Sequence, residues 1–146
     1  MSVRLYPTRP FLGASVACFR EGRVLLAARG RPPLDGVYSL PGGLVEPGET
    51  LAEAALRELR EEVGVEAELI GFLIVEVIER DDEGRVKLHF VIAAHAARWV
   101  SGEPQTGPEA RDVRWVTEAE IDSHPTTPGL AAVLTRAFAL LREEGC

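Results

Sequence analysis

Residues 43–65 read GLVEPGETLAEAALRELREEVGV, and the architecture follows from this stretch. Thr50 and Glu53 stand at the spacing of a capping box, in which each side chain satisfies the other residue's backbone donor. Ala52, Leu56, Leu59 and Val63 recur at helical spacing and predict the buried stripe of a helix. Gly64 supplies the left-handed position that commonly ends one. Ahead of the helix, Pro41-Gly42-Gly43 through Pro47-Gly48 is a loop rich in turn residues. Glu58, Glu61 and Glu62 fall within about one helical turn and, at roughly 100° per residue, point away from the predicted stripe.

Carboxylates grouped this closely repel one another unless a cation sits among them. Such hard oxygen donors suit Mg²⁺, with Mn²⁺ as the alternative, and offer little to zinc or copper. A cation held there can bind phosphate oxygens and activate water for attack on phosphorus. The competing reading of the triplet alone is a solvated acidic face paired with Arg57 and Arg60, because helices commonly display such i,i+4 pairs.

Working outward, 11–20 is rich in small and β-branched residues, and Glu21-Gly22 turns it into a second strand over 23–29, a predicted hairpin. Residues 30–36 read as a loop and 37–40 as a short extended piece. After the helix, 69–80 and 85–99 are apolar and β-branched, joined by Asp81-Asp82-Glu83-Gly84 as a second hairpin. Residues 112–116 predict another strand, and Thr117 with Glu120 a helical turn. Thr127-Pro128 predicts the cap and first turn of a final helix reaching about Glu144. No repeat or linker divides residues 1–146, so one domain is expected, a mixed sheet with helices on its faces.

The 146 residues carry 23 acidic against 16 basic side chains, net charge −7. That balance disfavours general nucleic-acid binding, which rests on neutralising phosphates. No stretch approaches the roughly 18 apolar residues of a membrane span, so no membrane partner is expected. Cys18 and Cys146 fit neither a zinc motif nor a redox pair. Cys18 reads as a buried small hydrophobe, Cys146 as a loose thiol, and a reducing cytoplasm as the setting.

The segment resembles the Nudix box, G-x5-E-x7-R-E-U-x-E-E-x-G-U, where U is a bulky aliphatic residue. Gly43, Glu49, Arg57, Glu58, Leu59, Glu61, Glu62, Gly64 and Val65 meet every fixed position. The resemblance implies an α/β fold (α+β in its segregation of elements), an α/β/α sandwich with a mixed β-sheet. It implies a magnesium-dependent hydrolase acting on a small-molecule nucleotide. Glu58, Glu61 and Glu62 would bind the metal together with the Gly42 carbonyl, and one of the glutamates would orient or deprotonate water. Arg57 and Glu49 would form a supporting ion pair. A further carboxylate often precedes a tryptophan-bearing strand in the family. Glu109, ahead of Trp115, matches as ligand or general base, with a solvated loop glutamate the alternative and Glu103 a weaker candidate.

The substrate is less legible, because a box sets chemistry and not specificity. Arg29 and Arg31 stand where guanidinium groups could hold a phosphate bidentately, or are ordinary surface arginines. Tyr38 reads as packing rather than as a base-stacking ring. His89 and His95 share one strand face and read as structural or solvent-facing. The family's usual proline for ADP-ribose hydrolases, downstream of the box, is replaced by Glu79, Arg80 and Asp81. The stretch from Arg31 through Tyr38 to Gly43 does resemble the bacterial ADP-ribose pyrophosphatase group. ADP-ribose or a similar sugar nucleotide is therefore the expected substrate, a nucleoside triphosphate such as 8-oxo-dGTP the alternative, and a non-catalytic nucleotide sensor the remote one. A homodimer is a candidate assembly.

Overall fold

Along 14–18 and 24–28, side chains alternate between two apolar faces, which is what a sheet covered on both sides requires. The computed structural model describes residues 5–30 and 36–144. Strand β1 (Phe11–Arg20) turns through Glu21 and Gly22, both with positive φ, into β2 (Arg23–Arg29). Two short strands follow, β3 (Tyr38–Ser39) and β4 (Gly42–Leu44), then helix α1 (Leu51–Val63). The long hairpin of β5 (Glu66–Arg80) and β6 (Val86–Ser101) precedes β7 (Ala110–Val116). A 3-10 helix (Glu118–Ser123) and α2 (Leu130–Glu143) complete the described chain.

The sheet runs β3-β2-β1-β6-β5, with β4 also paired to β1 and β7 to β2. It is mixed: β1 lies parallel to β6, and the other pairs are antiparallel. Strand β1 changes partner along its length. Phe19 and Arg20 pair with β2, whereas Gly13, Ala14 and Ser15 pair with β4. Beyond the turn, therefore, β2 leaves β1 and pairs with β3 on that edge, while β7 runs along its other edge from Val24 to Arg29. The sheet forks there, and the fork holds the candidate site.

One face of the sheet packs Val16, Cys18, Leu25 and Ala27 against Ala55, Leu59 and Val63 of α1. The other packs Phe19, Val24 and Leu26 against Leu134 and Phe138 of α2. The two helices on opposite faces give the α+β sandwich expected from the box.

Both predicted ends of α1 are present. Thr50 Oγ1 accepts from the Glu53 amide at 3.1 Å, and Glu53 accepts from the Thr50 amide at 2.8 Å. Gly64 closes the helix at φ 74°. The buried face is broader than the expected stripe, however. Ala54, Ala55, Leu59 and Val63 are buried, Ala52 is exposed and Leu56 is only half-buried. Glu58 and Glu62 fall within the arc spanned by Ala54, Ala55 and Leu59, so they point toward the sheet rather than away from it. The large-residue stripe missed this because alanines face the closely approaching strands.

Two further expectations need correction. Residues 42–44 form a strand on β1 rather than a loop. Only glycine fits at Gly42, where a Cβ would lie 2.5 Å from the Ala14 carbonyl oxygen. The final helix is capped by Gly129, with no side-chain cap. Thr127 is engaged elsewhere: its amide donates to the Tyr38 carbonyl and its hydroxyl to Ser39 Oγ, at 3.0 and 3.2 Å. The helix starts where that tether ends.

Candidate metal centre

Helix α1 presents Glu58 and Glu62, one turn apart, to the fork in the sheet, and the segment entering β7 brings Glu109 to meet them. One carboxylate oxygen of each lies within 4.8 Å of the others. Glu109 is placed by a tight turn in which the Gly107 and Ala110 backbones exchange hydrogen bonds of 2.9 and 3.2 Å. The turn lies against the end of β2, where a Cβ on Gly30 would stand 2.6 Å from the Pro108 carbonyl oxygen. Gly30 thus lets the Glu109 segment approach, a role that nothing in its sequence neighbourhood signals.

Arg57 ties loop to helix. Its Nε and Nη2 donate to the two oxygens of Glu49 at 2.6 and 2.9 Å, and Nη2 also reaches the Leu44 carbonyl at 3.1 Å. Nη1 donates to Glu58 at 2.9 Å and to Glu61 at 3.1 Å. The bidentate hydrogen bonds from Arg57 hold the Glu49 carboxyl below its ordinary range. The remaining N–H groups orient Glu58, whose side chain is only 13% exposed. Gly43 completes the cradle, since a Cβ there would lie 2.5 Å from Glu58 Oε1.

The electrostatics fit a cation. Burial pushes the Glu62 carboxyl up to about 7, against its hydrogen bond from the Gly42 amide, with the charges of Glu109 and Glu58 adding to the rise. Burial likewise raises Glu58, despite the opposing bond and charge of Arg57. An all-oxygen donor set that resists its own ionisation suits a hard divalent ion, which would relieve the repulsion directly.

Several sequence expectations meet the geometry differently. Glu61 does not join the cluster; its side chain is 62% exposed and turns to Arg57. Glu103 lies elsewhere, paired with Arg20 at 3.0 Å. Arg29, at the end of β2, is near enough to lower the Glu62 carboxyl by charge, and its buried Nε has no hydrogen-bond partner among the described residues. Arg31 and Cys146 lie outside the described residues. Tyr38 is buried packing: its hydroxyl donates to Asp112 and its ring meets His124 edge-on. His95 is buried against Phe72, and burial holds its pKa below the usual histidine range, while His89 is half-buried. Cys18 is buried, with its thiol pushed up to about 12. No helix among the described residues is long and apolar enough to cross a membrane.

The NUDIX domain model matches residues 9–137. The ADP-ribose pyrophosphatase of Methanocaldococcus jannaschii is 31% identical over 114 residues, covering 77% of this chain and 64% of that protein. The chain thus spans less than two thirds of that relative's length. A Mycobacterium tuberculosis protein named "Putative 8-oxo-dGTP diphosphatase 2" is 40% identical over 132 residues, 84% of this chain and 86% of that one. The crystal structure of a MutT NUDIX hydrolase from Burkholderia pseudomallei superposes with a TM-score of 0.73 at 31% identity, covering 87% of this chain and 97% of that one. A forked mixed sheet between two helices, an intact box and a family match over most of its length make this chain a member of the NUDIX family.

Proposed function

We propose that the chain is a divalent-metal-dependent hydrolase that cuts the pyrophosphate bond of a nucleoside diphosphate linked to a second group, with ADP-ribose or a related sugar nucleotide as substrate. The convergence of Glu58, Glu62 and Glu109 within 4.8 Å carries this reading. Glu58 and Glu62, with the neighbouring Gly42 carbonyl, would hold Mg²⁺ or Mn²⁺, with Glu61 at the margin and Glu109 beside the ion. A cation held there would supply charge neutralisation for the diphosphate and would acidify water. Arg29 brings a positive charge beside the cluster, suited to a phosphate group. Glu109, on a loop and exposed, takes the proton of the attacking water. Water oxygen bonds to one phosphorus, the bridging P–O bond breaks, and two phosphomonoesters leave. From ADP-ribose these are AMP and ribose 5-phosphate.

A second reading, a nucleoside triphosphate pyrophosphatase, is favoured by the higher identity and fuller coverage of the Mycobacterium tuberculosis relative. A substrate panel with Mg²⁺, its products resolved by chromatography, separates the two. AMP from ADP-ribose supports the first, and pyrophosphate with a nucleoside monophosphate supports the second. Turnover that survives chelation overturns the metal mechanism, and silence across the panel overturns both readings in favour of nucleotide sensing.

A further inference from the structure

Strand β5 is the outer strand of the sheet beyond β6, and among the described residues no strand pairs with its free edge. Its ladder with β6 shifts register between Leu69 and Gly71 and again between Glu79 and Arg80. The nine residues between these shifts, Gly71–Glu79, form an unbroken edge whose midpoint is Val75. On this edge Phe72, Ile74, Val77 and Ile78 are exposed by 38% to 57%. Natural edge strands are usually kept short, bulged, charged or covered, because a row of unpaired N–H and C=O groups recruits another strand. This edge is long and regular, and it is apolar apart from Glu76 and Glu79.

We propose that a second copy of the chain pairs with it, β5 against β5, antiparallel across a two-fold axis at Val75. A two-fold perpendicular to the sheet keeps the faces of both copies aligned and makes the interface self-complementary. Phe72 then meets the partner's Ile78, Leu73 the partner's Val77, and Gly71 the partner's Glu79. Glu76 lies opposite the partner's Ile74, so no acidic residue of this stretch faces another. A one-residue shift of the axis to Glu76 sets that carboxylate against its own copy, a repulsive pairing. A shift to Ile74 sets Phe72 against Glu76 and runs into the irregularity at Leu69. The bulges, the charges and the apolar pairs therefore select one register. Phe72 also borders a groove of about 420 Å³ shared with Leu51, Ala52, Leu69 and His95, and the incoming strand reaches its rim.

Sedimentation velocity of the full chain over a hundredfold dilution series tests the proposal. The expected result is a two-chain species that becomes one chain in Phe72→Lys/Ile78→Lys, with circular dichroism unchanged. A second measurement reads the register in a Cys146→Ser background, where Val75→Cys should cross-link to its own copy on oxidation and Glu76→Cys should do so several-fold less. A monomer at every concentration overturns the proposal and leaves the edge to a strand of some other protein. A dimer that persists in the double-lysine variant, or cross-linking that favours Glu76→Cys, overturns the interface or its register.

Discussion

The Glu62 carboxyl accepts the Gly42 amide at 2.9 Å while burial and the charges of Glu109 and Glu58 oppose its ionisation. Its titration near 7, against an ordinary 4.5, means that the metal-free folded protein binds more protons than the unfolded chain between those values. Stability then falls as pH rises through that window, and the contribution is fully lost above about 7. A cation competes for the same oxygens, so Mg²⁺ should raise the melting temperature more at pH 8 than at pH 6. Glu62→Gln removes the charge without the volume. It should lower kcat by about a hundredfold or more, the scale of losing a placed catalytic group, while making the chelated protein at pH 8 at least as stable as the parent. Near-normal turnover, or a Mg²⁺ stabilisation independent of pH, would remove Glu62 from the site. The spacing of Glu58 and Glu62 was legible in the sequence. Their direction was not, because a stripe of large apolar residues underrates Ala54 and Ala55, which pack just as closely. Glu109 was legible only as one of two alternatives, since its approach depends on Gly30 and on a turn that no local pattern marks.

Helix α1 is useful to the site only if its loop holds still, and Arg57 connects the two. One guanidinium reaches Glu49, Leu44, Glu58 and Glu61, partners that a lysine cannot serve together. Arg57→Lys is therefore expected to weaken Mg²⁺ binding and turnover by about 10- to 100-fold, the usual cost of losing a group that orients metal ligands. Thermal unfolding should change little, because α1 keeps its caps and its buried face. Activity within twofold of the parent would show that Glu58 is positioned without it. At this scale the sequence was most informative where backbone chemistry is local. The capping box, Gly64 and the Glu21-Gly22 turn each satisfy donors or φ angles within a few residues, and each appears as read. Strand β4 and the start of α2 were misread because their hydrogen bonds go to distant partners, β1 in one case and β3 in the other.

Across the whole molecule, one sheet separates two cores, and only one of them borders the carboxylates. Leu59 and Val63 form the buried face of the helix that bears Glu58 and Glu62, whereas Phe138 stacks edge-on against Phe19 on the opposite face, with ring centroids 4.8 Å apart. The order of hairpins and helices announced a mixed sheet with helices on its faces, but not the fork in it. Which strand takes β1 at each point of its length is a long-range choice among similar apolar partners. The fork has a consequence for how stability and activity divide. Strands β1 and β2 contribute side chains to both cores, so unfolding should remain cooperative whichever core is damaged. Phe138→Ala should cost about 3–5 kcal/mol and lower the melting temperature by roughly 10 °C for a chain of this size. Below that transition, kcat and the Mg²⁺ requirement should match the parent, because the sheet lies between α2 and the carboxylates. A Phe138→Ala protein that keeps its melting temperature would deny the second core its weight. One that melts as expected but loses metal binding while still folded would show that α2 reaches the site through the sheet.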